Sequence, residues 1–190
     1  MNITKEWLLE KDACKGGIKW FLSQDEIDAG KVMLKLIDCD RVADARWVMR
    51  KLIATKTQAV LIAIFAAEPA IDIFENKYPD DKRPRKAIEA AKAYIDNPCE
   101  NTRLAANHAY HAAYAAAYHA YHAAYAAAYA AADAAYAAAY AAYAAAYAAA
   151  DAAYAAADAA AAADYHDYHD CGKKETQVKI IKYAITVLGL

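Results

Sequence analysis

Residues 108–129 read HAYHAAYAAAYHAYHAAYAAAY, two perfect copies of an eleven-residue unit, and the register continues with substitutions to about His169. Eleven residues fill three turns at about 3.67 per turn, so positions spaced four, four and three lie on one nearly straight stripe of an α-helix. Tyrosine holds that stripe. Tyr110, Tyr121 and Tyr143 take the third repeat position, and Tyr114, Tyr125, Tyr136 and Tyr147 the seventh. Tyr118, Tyr129 and Tyr140 take the eleventh. Alanine, the strongest helix former, surrounds them. The repeat therefore dictates helix and makes tyrosine the packing residue, because its ring buries a large area while its hydroxyl finds a partner at the rim.

As one helix, residues 102–169 would run roughly 100 Å, far beyond the body of about 13 Å radius of gyration that the preceding hundred residues make. Its stripe would then need a partner, such as a second copy in a hendecad coiled coil. The alternative is a hairpin of two or three Ala-rich helices packed through small side chains, and this is the favoured reading. The break is placed near Ala130–Asp133, where the third-position tyrosine is missing and Asp133 can cap a new helix.

The rest of the chain reads as helix throughout, and no segment alternates with period two. Thr4 caps a helix from Lys5 to about Ala13, which Gly16-Gly17 ends. Ser23 and Glu26 form a capping box that opens Gln24 to Ile37. Asp40 caps Arg41 to Ala54, and Thr57 starts an apolar helix, Ala59 to Asn76, that Pro69 kinks or divides. Its core includes Val60, Leu61, Ile64, Phe65, Ile71 and Phe74. Pro84 opens a helix running to Ile95, Asn101 or Thr102 caps the Ala/Tyr block, and Cys171-Gly172 ends it. Val178 to Leu188 is a final helix that returns along the block, with Val178, Ile181, Ile185 and Leu188 over the stripe and lysines facing Asp158 and Asp164. The expected fold is all-α: a helical segment over 1–38 and an Ala-rich bundle over 39–190, together one domain.

Charge excludes some functions. The chain carries 22 Lys and Arg against 24 Asp and Glu, so no overall field favours nucleic acid or an anionic membrane. Residues 104–172 hold six Asp and no Lys or Arg, which removes the cations a base-stacking tyrosine platform needs. Ala134 to Ala150 is uncharged, but alanine and tyrosine do not make a bilayer span. Four scattered cysteines without CxxC spacing and a charged start, MNITKEWLLEKD, point to a cytoplasmic protein with reduced thiols.

The stretch Ala66-Ala67-Glu68-Pro69 through Tyr78-Pro-Asp-Asp-Lys-Arg-Pro-Arg-Lys-Ala-Ile-Glu-Ala-Ala-Lys-Ala-Tyr94, followed by the Ala-rich block and its His pair, resembles the alanine-rich helical immunity-protein family. Members of that family occur beside bacterial polymorphic toxins and in tailed phages. The opening, Trp7-Leu-Leu-Glu through Ala13-Cys14 to Gly17 and Trp20-Phe21, resembles the start of many small phage proteins. The resemblance spans roughly residues 40–188 and is most specific over Pro79 to Ala91. The family's block is less regular, carries Arg and is internally broken. The resemblance implies an all-helical fold and binding of another protein; it carries over no catalytic residue.

All six histidines lie in the Ala/Tyr block. His108 with His111, and His119 with His122, are i,i+3 pairs of the kind that can share a transition metal, and both are copies of the repeated unit. His166 and His169, among Asp164, Asp167, Asp170 and Cys171, form the better candidate metal pair. Cys171 beside His169 and Asp167 is the one nucleophile–base grouping, and neighbours that close on a helix end do not converge on a point. The Asp80-Asp81-Lys82-Arg83 stretch reads as a solvated turn with a local ion pair. The sequence therefore points to a non-enzymatic, cofactor-free protein that binds a protein partner, immunity-like or a phage accessory. The alternative is a homo-oligomeric module joined through the tyrosine stripe.

Overall fold

A computed structural model describes residues 1–119, 123–139, 151, 155, 159 and 171–190. Nine helices run through the described residues: α1 (Lys5–Glu10), α2 (Lys15–Leu22), α3 (Ala29–Asp38), α4 (Val42–Leu52), α5 (Lys56–Lys77), α6 (Arg83–Asp96), α7 (Glu100–His119), α8 (Ala123–Ala139) and α9 (Cys171–Leu188). No strand occurs among them; Asn2 and Asp28 make one isolated antiparallel bridge. The class is all-α.

Local capping chemistry sets the boundaries, and it corrects several expected ones. The Thr4 hydroxyl does accept from the Trp7 N–H at 3.2 Å. The glycine pair does not end α1, however. Asp12 does, at φ 59°, with its N–H donating to the Leu9 carbonyl and the Ala13 N–H to that of Leu8. That is a left-handed cap filled by aspartate, which tolerates this region better than most side chains. Gly16 and Gly17 instead lie in the first turn of α2, where the Cys14 sulfur accepts from the Gly17 N–H. Ser23 closes α2, and Glu26 accepts from Ile27 and Asp28 N–H groups, so the capping box does not form; Asp28 caps α3 through the Lys31 N–H. Asp40 repeats the Asp12 device after α3, also at φ 59°, and α4 starts after it without a side-chain cap. Thr55, not Thr57, opens α5, in a reciprocal capping box with Gln58.

The longest helix, α5, runs unbroken through Pro69, which sits on its exposed side with Glu68 and Asp72. The proline removes one amide donor from the helix, yet α5 continues past it. Elsewhere α5 is apolar around most of its circumference, with Val60, Ile62, Ile71 and Phe74 buried. It alone among the described helices is long and apolar enough to cross a membrane, and here those side chains form the core. Phe65 is only half-buried, stacked on Tyr183 of α9 with ring centroids 4.0 Å apart. Leu61, Leu52 and Ile95 are half-buried as well.

The Ala/Tyr block folds back. Tyr110 of α7 meets Tyr136 of α8 at 5.1 Å between ring centroids, and Tyr114 meets Tyr129 at 5.1 Å, so the two helices are antiparallel. Helix α8 passes straight through Ala130–Asp133, where the break was expected. The missing tyrosine at Ala132 is a packing adjustment, since Ala130, Ala131, Ala132, Ala134 and Ala135 are fully buried. At the start of α7, Thr102 lies inside the first turn and accepts from the Cys99 N–H at 3.1 Å.

Helices α5, α6, α7 and α8 pack on one another as one layer. Cys171-Gly172 opens α9 rather than closing the block, and among the described residues α9 lies against α3, α4 and α5; the end of the stripe it was expected to cover lies outside them. Lys174 pairs with Asp40 at 2.7 Å, while Asp158 and Asp164 lie outside the described residues. Leu190 seats on Gly30, where an added Cβ would come within 3.3 Å of it. The core cluster runs from Ile3 to Ala184, continuous across the expected 38/39 boundary.

Between α5 and α6 the seam is ionic. Glu75 accepts from Arg85 at 2.7 and 2.6 Å and from Lys82 at 3.2 Å, and Lys92 reaches Glu68 at 2.6 Å. The Asp81–Arg83 pair closes the preceding loop locally, as the sequence reading has it. The Arg85 guanidinium holds the Glu75 carboxyl down to about 2. A depressed carboxyl stabilises the fold above its ordinary range and loses that effect as pH falls toward 2. Glu75→Gln should therefore lower stability by about 1 kcal/mol at neutral pH, since Arg85 is partly exposed. Melting curves of the two proteins should converge near the acid end; a constant offset at all pH values would contradict the pairing.

The buried alanines supply a second expectation. Ala134→Leu should cost about 1–3 kcal/mol by overpacking, whereas Ala115→Leu on the exposed side of α7 should be nearly neutral. Equal effects in denaturant titrations would show that the α5–α8 layer does not depend on small side chains.

Candidate functional site

The N-terminal four helices build a cavity that the sequence reading does not pick out. All three tryptophans of the chain, Trp7, Trp20 and Trp47, lie within its first 47 residues. Capping places them: the Thr4 cap orients Trp7 on α1, the Cys14 cap fixes the α2 turn that carries Trp20, and Trp47 projects from α4. Trp7 and Trp47 meet edge to face at 6.2 Å. The Arg41 guanidinium lies over the Trp20 ring at 5.5 Å while pairing with Asp44. Lys51 lies over Trp47 at 5.7 Å.

Between these elements is a cavity of about 280 Å³. Its walls are apolar and aromatic: Leu8, Trp20, Phe21, Val32, Leu36 and Trp47. The polar side chains in its lining are Asp12, Asp44 and Cys14, with no lysine, arginine or histidine. Cys14 is a free, exposed thiol. Within the first 34 residues Met1, Leu9, Leu22, Ile27 and Leu34 are exposed, five of the seven large exposed apolar side chains among the described residues. A concentration of tryptophan in one short segment is the sequence signal that could have located the site.

The candidate residues of the Ala/Tyr block are placed only in part. Tyr110, Tyr129 and Tyr136 are half-buried, and Tyr114 is 41% exposed. Their rings line the α7–α8 seam, while the fully buried positions belong to alanine. The side chains of Tyr118 and Tyr125, and residues Tyr121, Tyr140, Tyr143 and Tyr147, lie outside the described set. The metal pair His166 and His169, with its neighbouring Asp167, lies outside it too. His108 and His111 are exposed on α7, and no group of three or more potential ligands occurs among the described residues.

A second charged locus lies on α8. Burial pushes the Asp133 carboxyl up to about 8, and the nearby Asp151 carboxylate adds to the rise. Burial raises Asp151 as well, against the pull of Arg50 and Arg46 of α4. Asp133 is thus no helix cap but a half-buried, protonatable group within α8. No family model, curated protein or solved structure matches the chain.

A carboxyl raised by folding leaves stability greatest below its ordinary range and reduces it as pH climbs toward the raised value. The difference between wild type and Asp133→Asn should therefore grow between about pH 4 and pH 8, with the variant the more stable by on the order of 1–3 kcal/mol at alkaline pH. Parallel pH–stability curves for the two proteins would contradict burial of this carboxyl.

Proposed function

We propose that the chain is a non-enzymatic helical protein that binds another protein, in the manner of an immunity or phage accessory protein. The observation that carries this reading is the apolar surface of the first three helices. Leu9, Leu22, Ile27 and Leu34 stand exposed within the same short stretch of chain whose helices wall the tryptophan-lined cavity. Exposed apolar side chains gathered in one region mark interaction surfaces, and aromatic residues dominate the energetics of such surfaces. The resemblance of residues 66–94 to the immunity family supports the same class. The cavity pairs its thiol with no histidine, so it favours binding over nucleophilic chemistry.

Assembly through the tyrosine stripe gains less support. Tyr110, Tyr114, Tyr129 and Tyr136 contact each other within one chain. Molar mass in solution separates the readings, since stripe-mediated assembly requires an oligomer.

The direct test is affinity capture from the native host with wild type and with Leu9→Ser/Leu22→Ser. Both leucines are exposed, so the variant should keep its melting temperature. The expected result is one discrete partner held by wild type and lost by the variant. A partner retained equally by both proteins would remove the N-terminal face from the interaction.

A further inference from the structure

We infer that the cavity among α1–α4 binds a small amphiphilic ammonium ion, with the apolar end of the ligand inside and its charge at the mouth beside Asp12. This goes beyond the protein-binding reading, which rests on the exposed leucines and isoleucine outside the cavity.

Three observations carry it. First, the cavity of about 280 Å³ suits one compact apolar group, and its walls include Trp20, Phe21 and Trp47. Second, every ionisable side chain in the lining other than the Cys14 thiol is acidic, since the lining holds Asp12 and Asp44 and no lysine, arginine or histidine. Third, the two carboxylates differ. Asp44 is already neutralised by Arg41, which also covers the Trp20 ring. Asp12 makes no side-chain hydrogen bond or ion pair among the described residues. The left-handed cap after α1 fixes its backbone at φ 59°. An uncompensated carboxylate at the edge of an apolar aromatic cavity selects a cation with an apolar body. It disfavours an anion of the same shape, and it gains over a neutral isostere only the charge pair.

Because Asp12 is exposed, that gain is modest: about three- to five-fold in affinity at low ionic strength, shrinking as salt is added. Asn shares the tolerance of Asp for left-handed backbone, so Asp12→Asn should remove the charge without disturbing the α1 cap.

The test compares 2-phenylethylammonium, 2-phenylethanol and 3-phenylpropanoate on the full chain. Binding is read by tryptophan fluorescence and by the rate of Cys14 alkylation, resolved from the other cysteines by peptide mass spectrometry. The expected order is ammonium tightest, alcohol about three- to five-fold weaker and carboxylate weakest, with binding slowing Cys14 alkylation. Asp12→Asn should bring the ammonium to the affinity of the alcohol. The inference is overturned if the alcohol binds as well as the ammonium in wild type, or if neither slows alkylation. It is also overturned if the ammonium keeps its advantage in Asp12→Asn. None of these outcomes bears on partner capture through Leu9 and Leu22, so the two readings fail separately.

Discussion

The fold depends on helices meeting through alanine. Ala106, Ala113, Ala116, Ala130, Ala131, Ala134 and Ala137 are buried to within a few per cent, and α5 brings Ala59, Ala63, Ala66, Ala67 and Ala70 to the same layer. A methyl group buries little surface, but it loses no rotamer freedom and lets backbones approach toward the near end of the usual interaxial range. Contact density then replaces side-chain size. Such a surface is degenerate, because shifting a repeat by eleven residues brings the same side chains to the same places. The repeat cannot fix its own register. Irregular neighbours do so: Phe74 and Ile71 of α5, Ile88 of α6, and Asp133, whose carboxyl is costly anywhere in the layer that cannot keep it protonated.

Helix α9 joins this layer to the N-terminal helices. Ile180, Ile181 and Ala184 are buried against α3, α4 and α5, and the Lys174–Asp40 pair ties its start to the α3–α4 turn. At its other end Gly189, at φ 70°, turns the chain so that Leu190 covers Gly30. The N-terminus arrives at the same place: Ala29 donates to the Met1 carbonyl at 2.8 Å and Ile3 to that of Ile27 at 2.7 Å. The start of α3 is therefore held by both ends of the described chain, which keeps the nearby cavity walls at Val32 and Leu36 in place.

Periodicity made the class and the hairpin legible, because both follow from local helix geometry and from the length a single helix would reach. Boundaries failed where more than one residue could supply the same local bond. Thr55 and Thr57 both suit a cap, and the choice went to the one whose third neighbour, Gln58, could reciprocate. Gly16-Gly17 looked like a stop, yet Asp12 supplied one earlier and Cys14 turned the glycines into a start. The described tyrosine rings do meet across the α7–α8 seam, but alanine holds the fully buried positions beside them. Period alone shows which residues share a face, not whether rings or methyl groups reach its centre. The cavity escaped notice because its residues come from four short helices whose mutual packing no local pattern encodes.

Two aspartates show where local rules stop. Asp12 and Asp40 occupy the same backbone conformation at the ends of α1 and α3, each completing the cap with the same pair of amide bonds. Sequence and backbone treat them alike. Their surroundings do not: α9 delivers Lys174 to Asp40, whereas Asp12 is left at the rim of an apolar cavity. One charge is paired across an exposed contact with α9 and the other remains without a partner among the described residues. The irregular first fifty residues are where tryptophan, thiol and free carboxylate are brought to one place, and the proposed recognition rests on that convergence.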